Sequence, residues 1–192
     1  MWFVVLALVL PAVAWAQSYE PARLDRPFAA LQGAADEPAA AAAVVEIWRQ
    51  WMVLADREQR LLMELGMLEM RRGELTDADA TFTRLIEQAP DLPEPWHTRG
   101  TIRMLQGELA PAVADFCATI RREPRHFGAY SNLGTVRLQM KEPARAIAAF
   151  ALALKYNPHM PGIRPELERL KSEAVGEVPD DPLGCGLRTA GR

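Results

Sequence analysis

An all-α solenoid, three helix pairs closed at each end by a single helix, is the fold that this 192-residue chain predicts. The first observation is a period of 34 residues: Leu62, Trp96 and Tyr130 stand one step apart, as do Leu65, Arg99 and Leu133. The second is that small residues keep the same step, at Gly66, Gly100 and Gly134 and again at Ala78, Ala112 and Ala146. The third is that Phe82, Phe116 and Phe150, then Pro90, Pro124 and Pro158, close each copy in the same order. Self-similarity at such a period marks stacked helical units, each too small to bury its apolar face alone. No long alternation of β-branched residues points to a sheet.

Each position in the repeat has a physical task. The glycine lets the second helix of a pair approach the backbone of the first, and the alanine is the matching small contact. The phenylalanine lies four residues beyond the alanine, so it shares that face and reaches into the next copy. The proline stops the second helix, because it has no N–H with which to continue. Gly73 and Gly107 mark the turn inside the first two pairs; the third has Lys141-Glu142-Pro143, with Pro143 suited to a first helical turn. An early aromatic, a Gly, an Ala, an aromatic and a closing Pro at this spacing resemble the tetratricopeptide repeat (TPR). The resemblance implies a right-handed superhelix of antiparallel pairs, helix A then helix B, over 59–92, 93–126 and 127–160. Glu69, Arg103 and Arg137 stand where that family usually has Tyr, and Arg99 where it has Leu.

The flanks read separately. Met1 to Ala16 is an apolar run, a Pro11 break and small residues at Ala14 and Ala16, the pattern of a signal peptide cleaved after Ala16, although its only positive charge is the terminal amine. The run is short for the ~20 residues of a membrane span. The expectation is an exported protein, periplasmic in a bacterium, with no membrane insertion after cleavage. Residues 17–37 read as a linker with a short helix near Phe28–Leu31. Residues 38–57 carry Val44, Ile47, Trp48, Trp51, Met52 and Leu54 at helical spacing, an amphipathic helix expected to cap the first repeat. Residues 162–175 form a C-terminal cap with Ile163, Leu167 and Leu170 on one side and a charged outer face. Residues 176–192, rich in Gly, Pro and Asp, are expected to be disordered.

Composition narrows function. A net charge of −3 and an isoelectric point near 5.7 supply no basic patch for nucleic acid. His97, His126 and His159 lie near repeat boundaries, none with a His or Cys at i+3 or i+4, so exposed loop histidines and no metal are expected. No glycine-rich phosphate loop, nucleophile elbow or paired carboxylates occur, so neither an enzyme nor a cofactor is indicated. In an oxidising compartment Cys117 and Cys185 could bridge; a free or intermolecular Cys185 is the alternative.

Glu123-Pro124-Arg125-His126-Phe127-Gly128-Ala129, with Glu46-Ile47-Trp48-Arg49-Gln50-Trp51 and Glu94-Pro95-Trp96, resembles small exported TPR proteins of alphaproteobacteria over roughly Ala39 to Leu170. That family has no assigned activity, so it speaks to fold and location. TPR register implies a partner-binding groove on the A helices from Met63, Met67, Met70, Arg71, His97, Thr101, Met104, Asn132, Thr135 and Leu138. Ser131, Leu105 and Gln139 fall beside them. Some members clamp a C-terminal carboxylate with Lys and Asn; Met63, Met67 and Thr98 occupy those places here, which disfavours that mode. The methionines, beside Arg71 and Arg103, suggest an amphipathic segment carrying an acidic group. The function expected is a non-catalytic scaffold or adaptor for a protein or peptide, monomeric or weakly self-associating. An accessory subunit of an envelope complex, such as cytochrome-maturation or secretion assembly, is the alternative, with a redox or metal-handling role behind it.

Overall fold

Glycine and phenylalanine interlock inside each repeat, and that contact sets the spacing of the molecule. In the computed structural model a Cβ on Gly66, Gly100 or Gly134 would come within 2.7, 2.8 and 2.5 Å of the rings of Phe82, Phe116 and Phe150. The rings therefore lie on the bare backbone of the facing helix. Ala78, Ala112 and Ala146 are fully buried beside them. The structure describes residues 19–54, 57–173 and 179–187. The signal-peptide reading at 1–16 lies outside them.

The described residues are all helical apart from turns and one docked segment. A 3-10 turn at Pro21–Leu24 leads into α1 (Asp25–Gln32) and α2 (Glu37–Trp51), followed by α3 (Arg57–Arg72), α4 (Leu75–Gln88) and α5 (Pro93–Gln106). Then come α6 (Leu109–Arg122), α7 (Phe127–Gln139), α8 (Pro143–Tyr156) and α9 (Ile163–Glu173). The pairs α3/α4, α5/α6 and α7/α8 stack in order. None of these helices is long and apolar enough to cross a membrane.

The turns obey one rule. Gly73, Gly107 and Lys141 hold the same place in each pair and share a positive φ, of 77, 80 and 61°. Glycine adopts that conformation freely, whereas lysine adopts it at a cost. The closing prolines tie the repeats together through their carbonyls. Trp96 Nε1 donates to Pro90 O at 3.0 Å and Tyr130 Oη to Pro124 O at 3.1 Å, with Arg164 Nη2 reaching Pro158 O at 3.4 Å. Residue 164 is one further step of 34, so α9 begins a fourth A helix in the same register.

Two flank expectations are corrected. α2 does not cap the first repeat. It pairs with α1 and lies across the starts of α5 and α7, where the Trp51 ring stacks on His126 at 3.9 Å and Trp48 sits 6.0 Å from Phe127. Gln32 fastens α1 to the carbonyls of Lys155 and Tyr156, at 2.9 and 2.8 Å. Arg125 reaches Asp25 at 2.6 Å. The aromatic and alanine face of α2 finds deeper cover there than on α3: Ala40, Ala43, Ile47 and Trp51 are all buried. Residues 17–37 are accordingly more than a linker, since Leu24, Phe28 and Leu31 are core residues.

The expected disorder of the tail is corrected for residues 179–187; the rest of 174–192 lies outside the described residues. Residues 179–187 dock on the solenoid through a Cys117–Cys185 disulfide and the buried Leu183. Asp181 accepts from the N–H groups of Gly184 and Gly186, and Arg137 donates to the carbonyls of Leu183 and Gly184. The buried Arg137 guanidinium, held also by Glu142 at 2.7 Å, supplies the anchor that composition does not reveal.

Candidate site: a methionine-walled cavity over a buried Glu–His–His cluster

The A helices bring part of the expected groove together. Met63, Met67 and Met70 recur on one face of α3 at i, i+4 and i+7, and His97 and Thr101 recur on α5 at i and i+4. Between them opens a cavity of about 300 Å³, lined also by Trp48, Met52, Glu94 and Thr98. Its wall is almost wholly apolar. Trp48 comes from α2 and Met52 from the cap at its C-terminal end, so the N-terminal hairpin completes a pocket in the groove.

Beneath the cavity lies Glu94, a buried carboxylate near the start of α5. Thr98 Oγ1 donates to its Oε1 at 3.1 Å. His126 accepts the Ala129 N–H on Nδ1 at 3.0 Å, which leaves its proton on Nε2, 3.2 Å from Glu94 Oε2. His97 accepts from the Asn132 amide on Nε2 at 3.2 Å and so turns an Nδ1–H toward Glu94 Oε1 at 3.3 Å. The same amide donates to Thr101 Oγ1 at 3.1 Å, and Thr101 in turn donates to the His97 carbonyl at 3.0 Å. Every polar side chain bordering the cavity is thus engaged beneath it.

Electrostatics follow from this wiring. Burial pushes the Glu94 carboxyl up, but the two imidazoles outweigh it and hold it at about 2. Burial pushes the His126 imidazole down to about 4, against the pull of Glu94. One ligand atom each from Glu94, His97 and His126 lies within 4.8 Å of the others, a spacing open to a metal. The tautomers oppose that use. A metal on His126 Nε2 would need the ring proton moved to Nδ1, where it would meet the Ala129 N–H. The cluster is a hydrogen-bonded carboxylate that ties α5 to α7.

The other expected site residues disperse. Arg71 is exposed beyond the cavity, and Thr135 is half-buried with its hydroxyl on Ser131 O at 3.2 Å. Met104 packs against the core around Phe116, and Leu138 against the core around Phe150. Arg103 turns away to pair with Asp79 and Asp115 at 2.7 and 3.0 Å, so it supplies no groove charge. Arg99 is buried and bidentate on Asp115, which explains its departure from Leu. The expectation of exposed histidines is corrected for two of three: His97 and His126 are buried and only His159 is exposed. Sequence reasoning missed Glu94 and His126. The available signals were Glu94-x-x-His97-Thr98 on one helical face and a polar residue at the cap of α7.

Comparison with known proteins agrees on the class. Residues 97–161 match the family model of the tetratricopeptide repeat. No curated protein matches the chain in sequence. Among solved structures, the first TPR of Spaghetti (RPAP3) bound to the HSP90 peptide SRMEEVD has a TM-score of 0.58 at 19% identity, over 60% of this chain and 91% of that one. The Sgt2 TPR domain from Aspergillus fumigatus also scores 0.58, at 21% identity over 65% and 91%. The Yersinia enterocolitica type III secretion chaperone SycD, in complex with a peptide of the translocator YopD, scores 0.53 at 18% identity over 59% and 86%. The fold is the TPR α-solenoid.

Proposed function

We propose that this chain is a non-catalytic adaptor that holds a protein partner by an apolar anchor in the cavity between α3 and α5. The observation that carries this reading is the cavity itself. Its methionine wall adapts to varied apolar shapes, and its polar border offers a ligand no unmet partner. At about 300 Å³ it lies at the lower end of ligand pockets, a size for one or two side chains rather than a whole cofactor. Structures of similar fold were solved with peptides from HSP90 and YopD, which supports a peptide as the ligand class. Export to the periplasm is part of the proposal. The Ala14–Ala16 pattern and the Cys117–Cys185 disulfide both suit an oxidising compartment.

The test is in-cell photocrosslinking from Met67 and Thr101, with the exposed Arg121 as control. One dominant adduct from both cavity positions and none from Arg121 is expected, and Met67→Glu should reduce its capture at least ~10-fold, the scale of burying a charge in an apolar wall. Equal adducts from all three positions, or capture unchanged by Met67→Glu, would sink the reading.

A further inference from the structure

The repeat register exposes a face that is complete everywhere except at one end. Three positions at i, i+4 and i+7 on each A helix pack on the preceding pair. On α7 they are Ala129, Leu133 and Val136, all 0% exposed and joined to Ala112, Phe116 and Ile120. On α5 they are Pro95, Arg99 and Ile102; Ile102 is 0% exposed among Leu62, Phe82 and Leu85, and Arg99 reaches Thr83 of α4 at 3.0 Å. On α9, Leu167 and Leu170 close on Ala146 and Phe150. The same three positions on α3 are Leu61, Leu65 and Leu68. Leu61 is 53% exposed, Leu65 43%, and Leu68 is half-buried. The helix that could have covered them, α2, lies elsewhere.

We infer that this face binds a second copy of the chain, α3 against α3, antiparallel across a two-fold axis. The spacing of Leu61, Leu65 and Leu68 is the 4-3 step of a coiled-coil seam. In an antiparallel pair that sets Leu65 against Leu68 of the other copy, Leu61 meets the aliphatic stem of Arg72. The flanking charges then match. Glu64 of each copy faces Arg71 of the other, twice by symmetry, and both side chains are exposed on α3. A parallel pairing would instead set Glu64 against Glu69 of the other copy, like charge on like. Self-complementarity of one patch is what an isologous interface demands. A single helix pair of this length belongs to the weak, transient class of interface.

The experiment is analytical ultracentrifugation of the purified protein over a concentration series up to ~100 µM, a range suited to that class. A monomer–dimer equilibrium is expected, weakened by raised salt. Leu65→Glu should abolish the dimer while leaving the helical circular dichroism unchanged, since the side chain is already exposed. Glu64→Arg and Arg71→Glu should each weaken it about tenfold, as two exposed pairs turn repulsive. The double variant E64R/R71E should restore it. A monomer throughout the series would overturn the inference and leave the face to residues 1–18 or to another protein. A dimer indifferent to Leu65→Glu, or single swaps that the double variant does not rescue, would equally overturn it.

Discussion

His126 accepts a backbone N–H hydrogen bond on the nitrogen that protonation would need, and the consequence for stability can be read against pH. The Ala129 N–H points at Nδ1, and Trp51 covers the ring. Protonation therefore needs the cap broken inside the core. The folded protein holds this ring at about 4, below its value near 6.5 in an unfolded chain, so the unfolded state binds more protons between those limits. The stabilisation is complete above about pH 6.5 and is lost as pH falls toward 4. Glu94 acts in a lower window, between its ordinary value and about 2. His126→Asn can still accept the Ala129 N–H as an N-cap but does not titrate. Thermal midpoints measured from pH 7 to pH 4.5 should fall in the wild type and stay flatter in the variant; parallel curves would place the titration elsewhere. Asp115 carries a second prediction. It is buried and serves both Arg99 and Arg103. Asp115→Ala should cost about 3–5 kcal/mol in denaturant unfolding, because it strands buried positive charge. A loss under ~1 kcal/mol, the value of an exposed pair, would show that the arginines find other partners.

At the scale of elements, the C-terminal segment and the N-terminal hairpin show how packing overrides composition. Residues 179–187 hold their place through one covalent bond, one buried leucine and the Arg137 guanidinium. Cutting the bond by Cys185→Ser should cost about 2–4 kcal/mol. Limited proteolysis should then cleave this segment well before the helices, with the wild type resisting until a reductant is added; equal cleavage in both would mean that Leu183 and Arg137 suffice alone. The amphipathic stripe of α2 was legible in Ile47, Trp48 and Trp51. Its partner was not, because an apolar stripe specifies that it must be buried and says nothing of which face will bury it. Pairing with α1 and the presence of His126 and Phe127 at the start of α7 decided the matter. The cavity was legible to the same degree. Met63, Met67, Met70, His97 and Thr101 followed from repeat register, whereas Met52 and Trp48 entered only once α2 had been placed.

Across the whole molecule, the sequence by itself determined the solenoid. A 34-residue recurrence of glycine, alanine, phenylalanine and proline leaves helix pairs no other way to bury their faces, and the Gly–Phe interlock at each step sets how closely they approach. The recurrence even extends to Arg164, Leu167 and Leu170, so the final helix obeys the rule of the repeats before it. What only the tertiary structure decided lies where the period stops. The Glu94, His97 and His126 cluster joins two consecutive repeats through contacts of one side chain with another, which no periodicity encodes. The Cys117–Cys185 closure spans 68 residues from the second repeat into a tail of turn-forming composition. Local pattern specifies each helix and its neighbour in the stack. Long-range contacts between unlike elements depend on which buried groups remain unmet once the stack has formed, and that is a property of the assembled fold.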